Sequence, residues 1–278
     1  MRLGGPLEGT FDSPEAWIRE LKSRGYSAAY SPLELSANDQ TVAAYVKAAA
    51  DANIVIAEVG GWSNPMDPDP GKAKAALTRS QQALDLAERM GANCCVNIVG
   101  SLRGDKWDAP HPDSFTAETF ERVVDTTRAI IDAVKPERTF YTLETMPWML
   151  PSTIDEYLRL MRAIDRPGLA VHLDPVNMIN SPDKAYSNGA LMRECFEKLG
   201  PYVKSCHAKD IVLTDELTVH LSEVRPGLGV LEYAVFIEEV EKLGVDSPMM
   251  LEHLPADQYL PAAQHVRKIA GEAGVRIV

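Results

Sequence analysis

From residue 2 onward, short runs rich in β-branched and apolar residues alternate with longer segments of helical periodicity, and the alternation repeats eight times. The runs are RLGG near residue 3, AAYSPLE (28–34), IVIAEVGG (54–61), CCVNIVGS (94–101), TFYTLET (139–145), LAVHLDP (169–175), VKSCHAKD (203–210) and MMLEHL (249–254). A helix-periodic segment follows each. Ser13-Pro14 and Asn38 predict helix starts, and Gly25, Gly91, Gly200 and Gly244 predict stops. Residues 72–90 and 116–134 carry long apolar stripes on one helical face. Eight βα units in 278 residues predict an α/β protein folded as a single (β/α)₈ barrel domain over 1–278, since such barrels run to roughly 250 residues. The competing topology is a doubly wound open sheet. It would want a Gly-rich phosphate turn after the first strand, and GGPLEG is not GxGxxG.

Two connections stand out. Residues 101–118, SLRGDKWDAPHPDSFTAE, exceed the usual βα loop and carry Trp107 and His111, which favours a functional flap over a disordered insert. Residues 211–229 follow the seventh run and alternate enough for a small hairpin. Both fall on the face where barrels of this kind carry their sites.

Composition narrows the partners. A formal charge of −12 with no compensating Lys/Arg run opposes binding to a phosphate backbone, so nucleic acid is not an expected partner. No window approaches the roughly 20 apolar residues that cross a bilayer, and MRLGGPLEGT has no apolar signal core, so a cytoplasmic location is expected. Cys94, Cys95, Cys195 and Cys206 lack CxxC spacing and are expected to be reduced core residues.

At strand ends of the C-terminal rim, alternating parity turns side chains into the lumen, so a polar residue there is a candidate site residue. Glu144, Asp174, His207 and Glu252 close the fifth to eighth runs, which would be neighbours around the barrel. Any one of these carboxylates alone is more often a helix cap or surface charge, and it is the convergence of four that points to a metal site. Three converging carboxylates without a cation would repel one another, whereas a divalent ion neutralises them. Three oxygen donors and one imidazole suit Mn²⁺ or Mg²⁺, with Co²⁺, Fe²⁺ or Zn²⁺ also compatible. Cys206 adjoins His207 and points toward the helices by parity, which argues against a thiolate zinc site.

With these residues in place, the chain resembles the xylose-isomerase-like TIM-barrel superfamily of sugar phosphate isomerases and epimerases, and within it the ketose 3-epimerases. The matching pieces are LET around Glu144, HLDPVN around Asp174, HAKD around His207, RPGLG at 225–229 and LEH around Glu252. The resemblance implies one ion, usually Mn²⁺, held by these four residues. It implies that Glu144 and Glu252 also act as acid and base on a metal-chelated keto-sugar, through an ene-diolate. It further implies a homo-oligomer. The pattern is broken at Asn177, where the epimerases commonly have His, and at Leu150, where they often have Glu.

The remaining candidates concern substrate. Arg225 would orient a substrate oxygen or phosphate, or else is a surface residue of the hairpin. His172 should point inward beneath the metal, as a partner of the ligands or as a satisfied core histidine. Lys209 shares the parity of His207 and would be an electrophile, a general acid or the ion-pair partner of a carboxylate. Trp62 and Trp148, and less so Trp107, would wall a sugar site or simply pack. His253, next to Glu252, should face away from the lumen, and His111 and His220 would reach the site only from a closed loop. The altered Asn177 keeps open a lyase or dehydratase, for example one that eliminates the leaving group of a 3-keto-glycoside. A non-catalytic sugar-binding barrel is a minor alternative. The superfamily's multi-histidine DNA-repair endonucleases fit poorly with six His and the acidic charge.

Overall fold

The computed structural model describes residues 1–278. Eight parallel strands close a barrel: β1 (Arg2–Gly4), β2 (Ala28–Tyr30), β3 (Val55–Gly60), β4 (Cys94–Asn97), β5 (Tyr141–Glu144), β6 (Leu169–Leu173), β7 (Val203–Ala208) and, after a hairpin, β10 (Pro248–Leu251), which pairs back onto β1. The hairpin is β8 (Asp210–Thr214) against β9 (His220–Val224), antiparallel and outside the barrel, as the alternation in 211–229 predicts. The (β/α)₈ barrel is therefore the fold, and the open sheet is excluded by closure of β10 on β1.

Helices α1 (Pro14–Arg24), α2 (Asp39–Asp51), α3 (Pro70–Met90), α4 (Ala117–Val134), α5 (Ile154–Ile164), α6 (Pro182–Tyr186), α7 (Asn188–Leu199), α8 (Tyr233–Lys242) and α9 (Tyr259–Glu272) follow the strands. Their ends obey capping chemistry. Ser13 Oγ accepts from Ala16 N with Pro14 in the first turn, and Asn38, Asp69, Thr116 and Thr153 cap the next helices in the same way, each worth about 1 kcal/mol. Gly25 and Gly91 end α1 and α3 in the left-handed conformation. At Gly200 the chain stays right-handed and passes through a 3₁₀ turn into β7. No helix is long and apolar enough to cross a membrane.

One continuous apolar core lies between the barrel and the helices. In α4, Phe120, Val123, Val124, Thr127, Ile130 and Ile131 are buried, the three-and-four spacing of a helix facing the sheet. Tyr157 of α5 reaches through this layer and donates to Leu143 O at 2.6 Å and Ala170 O at 3.1 Å, tying β5 to β6. All four cysteines are buried and unpaired, as expected.

Strand register sets the levels of the lumen. His172 on β6 is opposite Glu144 on one side and Ser205 on the other, and His207 is opposite Met250. Side chains of one parity point to one side, so Asp174, two residues beyond His172, and Glu252, two beyond Met250, rise to the rim beside His207.

Candidate metal centre

The four donors read from the sequence meet at one point. Donor atoms of Glu144, Asp174, His207 and Glu252 all lie within 4.8 Å of one another. His207 Nδ1 stands 3.0 Å from Glu144 Oε1 and 2.9 Å from Glu252 Oε1. Asp174 and His207 are wholly buried, Glu144 nearly so, and the Glu252 side chain is 12% exposed, so the cluster opens on the Glu252 side.

Local backbone explains how each donor is presented. Pro175 ends the run after Asp174 and starts a 3₁₀ turn, Val176–Met178, whose first amides point back. Val176 N and Asn177 N donate to Asp174 Oδ1 at 2.9 and 3.2 Å. With Oδ1 engaged, Oδ2 is left for a cation. Thr145 Oγ1 donates to Asp174 O and accepts from Asp174 N, locking the ends of β5 and β6 together.

Lys209 occupies the middle of this acid cluster. Its Nζ is 2.8 Å from Asp174 Oδ2, 2.6 Å from Glu252 Oε1 and 3.8 Å from Glu144 Oε1, and its side chain is 1% exposed. Of the three sequence readings for Lys209, ion pairing is what this geometry shows. The contacts are close in charge but poorly aligned. Asp174 Oδ2 and Glu252 Oε1 are buried and accept no hydrogen bond, which is expensive for carboxylate oxygens unless a cation coordinates them directly. Three carboxylates against one ammonium, with two oxygens lacking directed donors, fit a divalent ion.

The charges show in the acidities. Burial lifts the Asp174 carboxyl to about 6, helped by the charges of Glu144 and Glu252 and opposed by Lys209. Burial acts the same way on Glu252 and Glu144. There His207 and Lys209 prevail over it, holding Glu252 well below the usual carboxylate range and lowering Glu144. His207 and Lys209 are raised well above their ordinary values because the carboxylate charges outweigh burial.

Above the cluster lies a cavity of about 520 Å³, within the size range of small-molecule sites. Its walls are largely aromatic: Tyr30, Trp62, Trp107 and Tyr259, with Ile98 and Met146. Glu144 and Glu252 reach its floor, Asp108 and His253 its rim, and no Lys or Arg lines it. Trp62 and Trp107 meet edge to face with ring centroids 6.4 Å apart. Trp62 folds back onto Gly60, where a Cβ would stand 2.6 Å from its Nε1, so only glycine admits this pose.

The substrate candidates are distributed unevenly. Asn177 belongs to the cluster itself: Nδ2 donates to Glu144 Oε1 at 3.2 Å and to Thr145 O at 3.0 Å, and Oδ1 accepts from Lys209 at 3.4 Å. Trp148 stands outside the cavity lining and donates from Nε1 to Asp108 O at 2.8 Å, pinning the 101–118 connection. That connection is ordered, with Ser101 Oγ donating to Ala109 O and a 3₁₀ turn at Pro112–Phe115. Arg225 is not among the cavity residues, and its Nη1 donates to Pro226 O at 3.3 Å. Its segment is anchored by Asp210, whose carboxylate accepts from Gly227 N, Gly229 N and Leu231 N. His172 points inward beneath the cluster, with Nε2 3.1 Å from Glu58 Oε1. His253 departs from expectation. β10 ends at Leu251 and His253 adopts a positive φ of 56°, so alternation no longer applies and its ring lines the cavity beside Glu223 and Glu252.

Sequence reasoning passed over Glu58. It is 0% exposed in β3 and lies within hydrogen-bond reach of His172 and Ser205, with His207 Nε2 3.4 Å from its Oε2. A lone carboxylate inside IVIAEVGG was the available signal.

These observations define a parallel barrel with a candidate metal-binding cluster of carboxylates and imidazole at its C-terminal rim, under an aromatic cavity. The chain belongs to the xylose isomerase-like TIM barrel family, whose model matches residues 15–269. Over 124 residues it is 26% identical to the 3-dehydroshikimate dehydratase of Bacillus anthracis, a match covering 45% of this chain and 40% of that protein. Its fold is shared with the probable 3-DHS dehydratase AsbF of Bacillus anthracis (TM-score 0.71, 16% identity, 96% of this chain and 98% of that one). It is shared as well with D-psicose 3-epimerase of Clostridium cellulolyticum (TM-score 0.69, 16% identity, 99% and 100%).

Proposed function

We propose that this protein is a divalent-metal-dependent isomerase or epimerase acting on an uncharged keto-sugar or sugar derivative. The observation that carries the reading is the convergence of Glu144, Asp174, His207 and Glu252 under an aromatic cavity that no Lys or Arg lines. Asp174 Oδ2, His207 Nδ1, Glu144 and Glu252 would hold the ion, Mn²⁺ in preference, with Mg²⁺, Co²⁺, Fe²⁺ or Zn²⁺ compatible with the donors. When bound, it supplies charge that polarises a carbonyl and its neighbouring hydroxyl and lowers the acidity barrier of the carbon between them.

The chain's own residues do the rest. Glu144 and Glu252 both reach the cavity floor, so one carboxylate takes the proton from carbon and the other returns one. Asn177 keeps Glu144 in place through Oε1, and Lys209 pairs with Glu252 Oε1 until an ion takes its place. Tyr30, Trp62 and Tyr259 offer apolar faces to the C–H side of a sugar ring and exclude water from the reacting carbon. An anionic substrate would face Asp108 and two glutamates with no wall cation to receive it, which supports an uncharged one.

Elimination is the second reading, and the 26% match to a dehydratase favours it. The same proton removal expels a leaving group on the adjacent carbon instead of being reversed. The deciding experiment incubates Mn²⁺-loaded protein in D₂O with a panel of keto-sugars and 3-keto-glycosides. Deuterium entering beside the carbonyl without loss of a group supports isomerisation or epimerisation. Loss of the group supports the lyase, and neither event leaves a sugar-binding barrel.

A further inference from the structure

Beneath the four donors lies a second buried group: Glu58 of β3, His172 of β6, and Ser205 and His207 of β7. The Glu58 carboxylate is wholly buried between strands on opposite sides of the barrel, which places a charge where the fold ordinarily packs Val, Ile or Leu. A buried carboxylate survives only with partners, and this one has three. Ser205 Oγ donates to Oε1, His172 Nε2 lies 3.1 Å from Oε1, and His207 Nε2 lies 3.4 Å from Oε2.

His207 therefore stands between two sets of acids. Its Nδ1 faces Glu144 and Glu252 at 3.0 and 2.9 Å, and its Nε2 faces Glu58. A ligating imidazole nitrogen must offer a lone pair, so the ring proton must sit on the other nitrogen. Here that other nitrogen faces a carboxylate with no competing acceptor on it. His172, with its ring centroid 4.1 Å from that of His207 and nearly perpendicular to it, walls one side and leaves the imidazole little room to turn over.

We propose that Glu58 is a positioning residue for the metal centre: it holds the proton of His207 on Nε2, so that Nδ1 is the nitrogen presented upward, with Ser205 and His172 fixing the Glu58 carboxylate for that task. This rests on the metal-centre reading above and goes beyond it, since Glu58 is neither one of the four donors nor part of the cavity lining. The alternative arrangement, a second ion among Glu58, His172 and His207, would require His207 to ligate through both ring nitrogens as an imidazolate. In the donor arrangement Ser205 and His172 engage Oε1, while Oε2 and His207 Nε2, neither of which has another hydrogen-bond partner, face each other at 3.4 Å.

The test has two readouts. Mn²⁺ is titrated into metal-free wild type and Glu58→Gln, with free Mn²⁺ followed by electron paramagnetic resonance. The histidine ring nitrogens are followed by ¹⁵N NMR, with Zn²⁺ as a diamagnetic probe. The expectation for Glu58→Gln is a ten- to hundredfold loss of affinity, the range for removing the outer partner of a ligating histidine. It includes an upfield shift of the His207 Nε2–H proton, which a merely structural role would not move. Unchanged affinity with an unmoved His207 proton overturns the proposal, and so does a stoichiometry of two ions per chain. If Glu58→Gln does not fold, Ser205→Ala keeps the carboxylate and removes one restraint, with an expected two- to tenfold loss from one hydrogen bond; no loss overturns the proposal equally. If wild type binds no ion, the metal-centre reading has failed by itself, and the His207 Nε2–H shift between wild type and Glu58→Gln decides the role of Glu58.

Discussion

Lys209 Nζ lies 2.8 Å from Asp174 Oδ2, inside a cluster of carboxylates and almost without solvent contact. An ammonium there neutralises acids that would otherwise repel one another, and it does so from the space toward which the four donors converge. Lysine and a divalent ion therefore compete for the same oxygens. Replacing Lys209 by Met should destabilise the metal-free protein by about 3–5 kcal/mol, the cost of leaving buried charge unpaired. That is a fall in Tm of about 9–15 °C at about 3 °C per kcal/mol. Mn²⁺ should restore most of the loss and bind the variant more tightly than wild type. Thermal denaturation with and without Mn²⁺ measures both, and an equal loss in the two conditions would contradict the competition.

The acidities set a direction for pH. Ion binding needs Asp174 as carboxylate and the Nδ1 lone pair of His207. In the metal-free protein, burial keeps a proton on Asp174 up to about pH 6, and the surrounding carboxylates keep one on His207 well above its ordinary range. Both groups have raised pKa values, so both hold protons that the bound state must release. Near pH 7 only the His207 proton is displaced, and affinity should rise about tenfold per pH unit. Below about pH 6 Asp174 adds a second proton, and the dependence should steepen toward about a hundredfold per unit. Titrations of Mn²⁺ from pH 5 to 8 read the slope, and a flat profile would remove His207 and Asp174 from the ligand set.

How much of this was legible in the sequence depends on the reach of alternation. The barrel follows from eight repeated βα signals, and the four donors follow from one polar residue at each of four strand ends. His253 was misplaced because parity stops where β10 stops, at Leu251. Asn177 and Lys209 were placed near the site, yet their contacts with Glu144 and Glu252 depend on distances that spacing cannot give. Glu58 was passed over because its partners are 114 to 149 residues away in sequence, across the lumen. Only closure of the barrel brings them together.

Among the functional carboxylates, Glu144→Gln and Glu252→Gln should each lower solvent deuterium exchange at least a hundredfold, the lower range for losing a positioned acid or base. Arg225→Ala should change it much less, because Arg225 is not among the cavity-lining residues and its Nη1 donates to Pro226 O. Asp174→Ala and His207→Ala should instead remove the ion, read by metal analysis of the purified protein. Stoichiometric metal in both variants would refute the constellation.

The two tryptophans read as substrate walls divide into different experiments. Trp62 lines the cavity and lies on Gly60, so Trp62→Ala should weaken substrate binding about tenfold with a smaller effect on the chemical step, seen as a rise in KM against a steadier kcat. Trp148 lies outside the lining and acts through its Nε1 hydrogen bond to Asp108 O, on the connection that also carries Trp107. Trp148→Phe keeps the apolar bulk and removes that bond, freeing the 101–118 segment that brings Trp107 and Asp108 to the cavity. Limited proteolysis within 101–118 should become faster by about two- to tenfold, in line with one lost hydrogen bond. Unchanged cleavage in Trp148→Phe would mean that Ser101 and its bond to Ala109 O hold the segment without help from the indole.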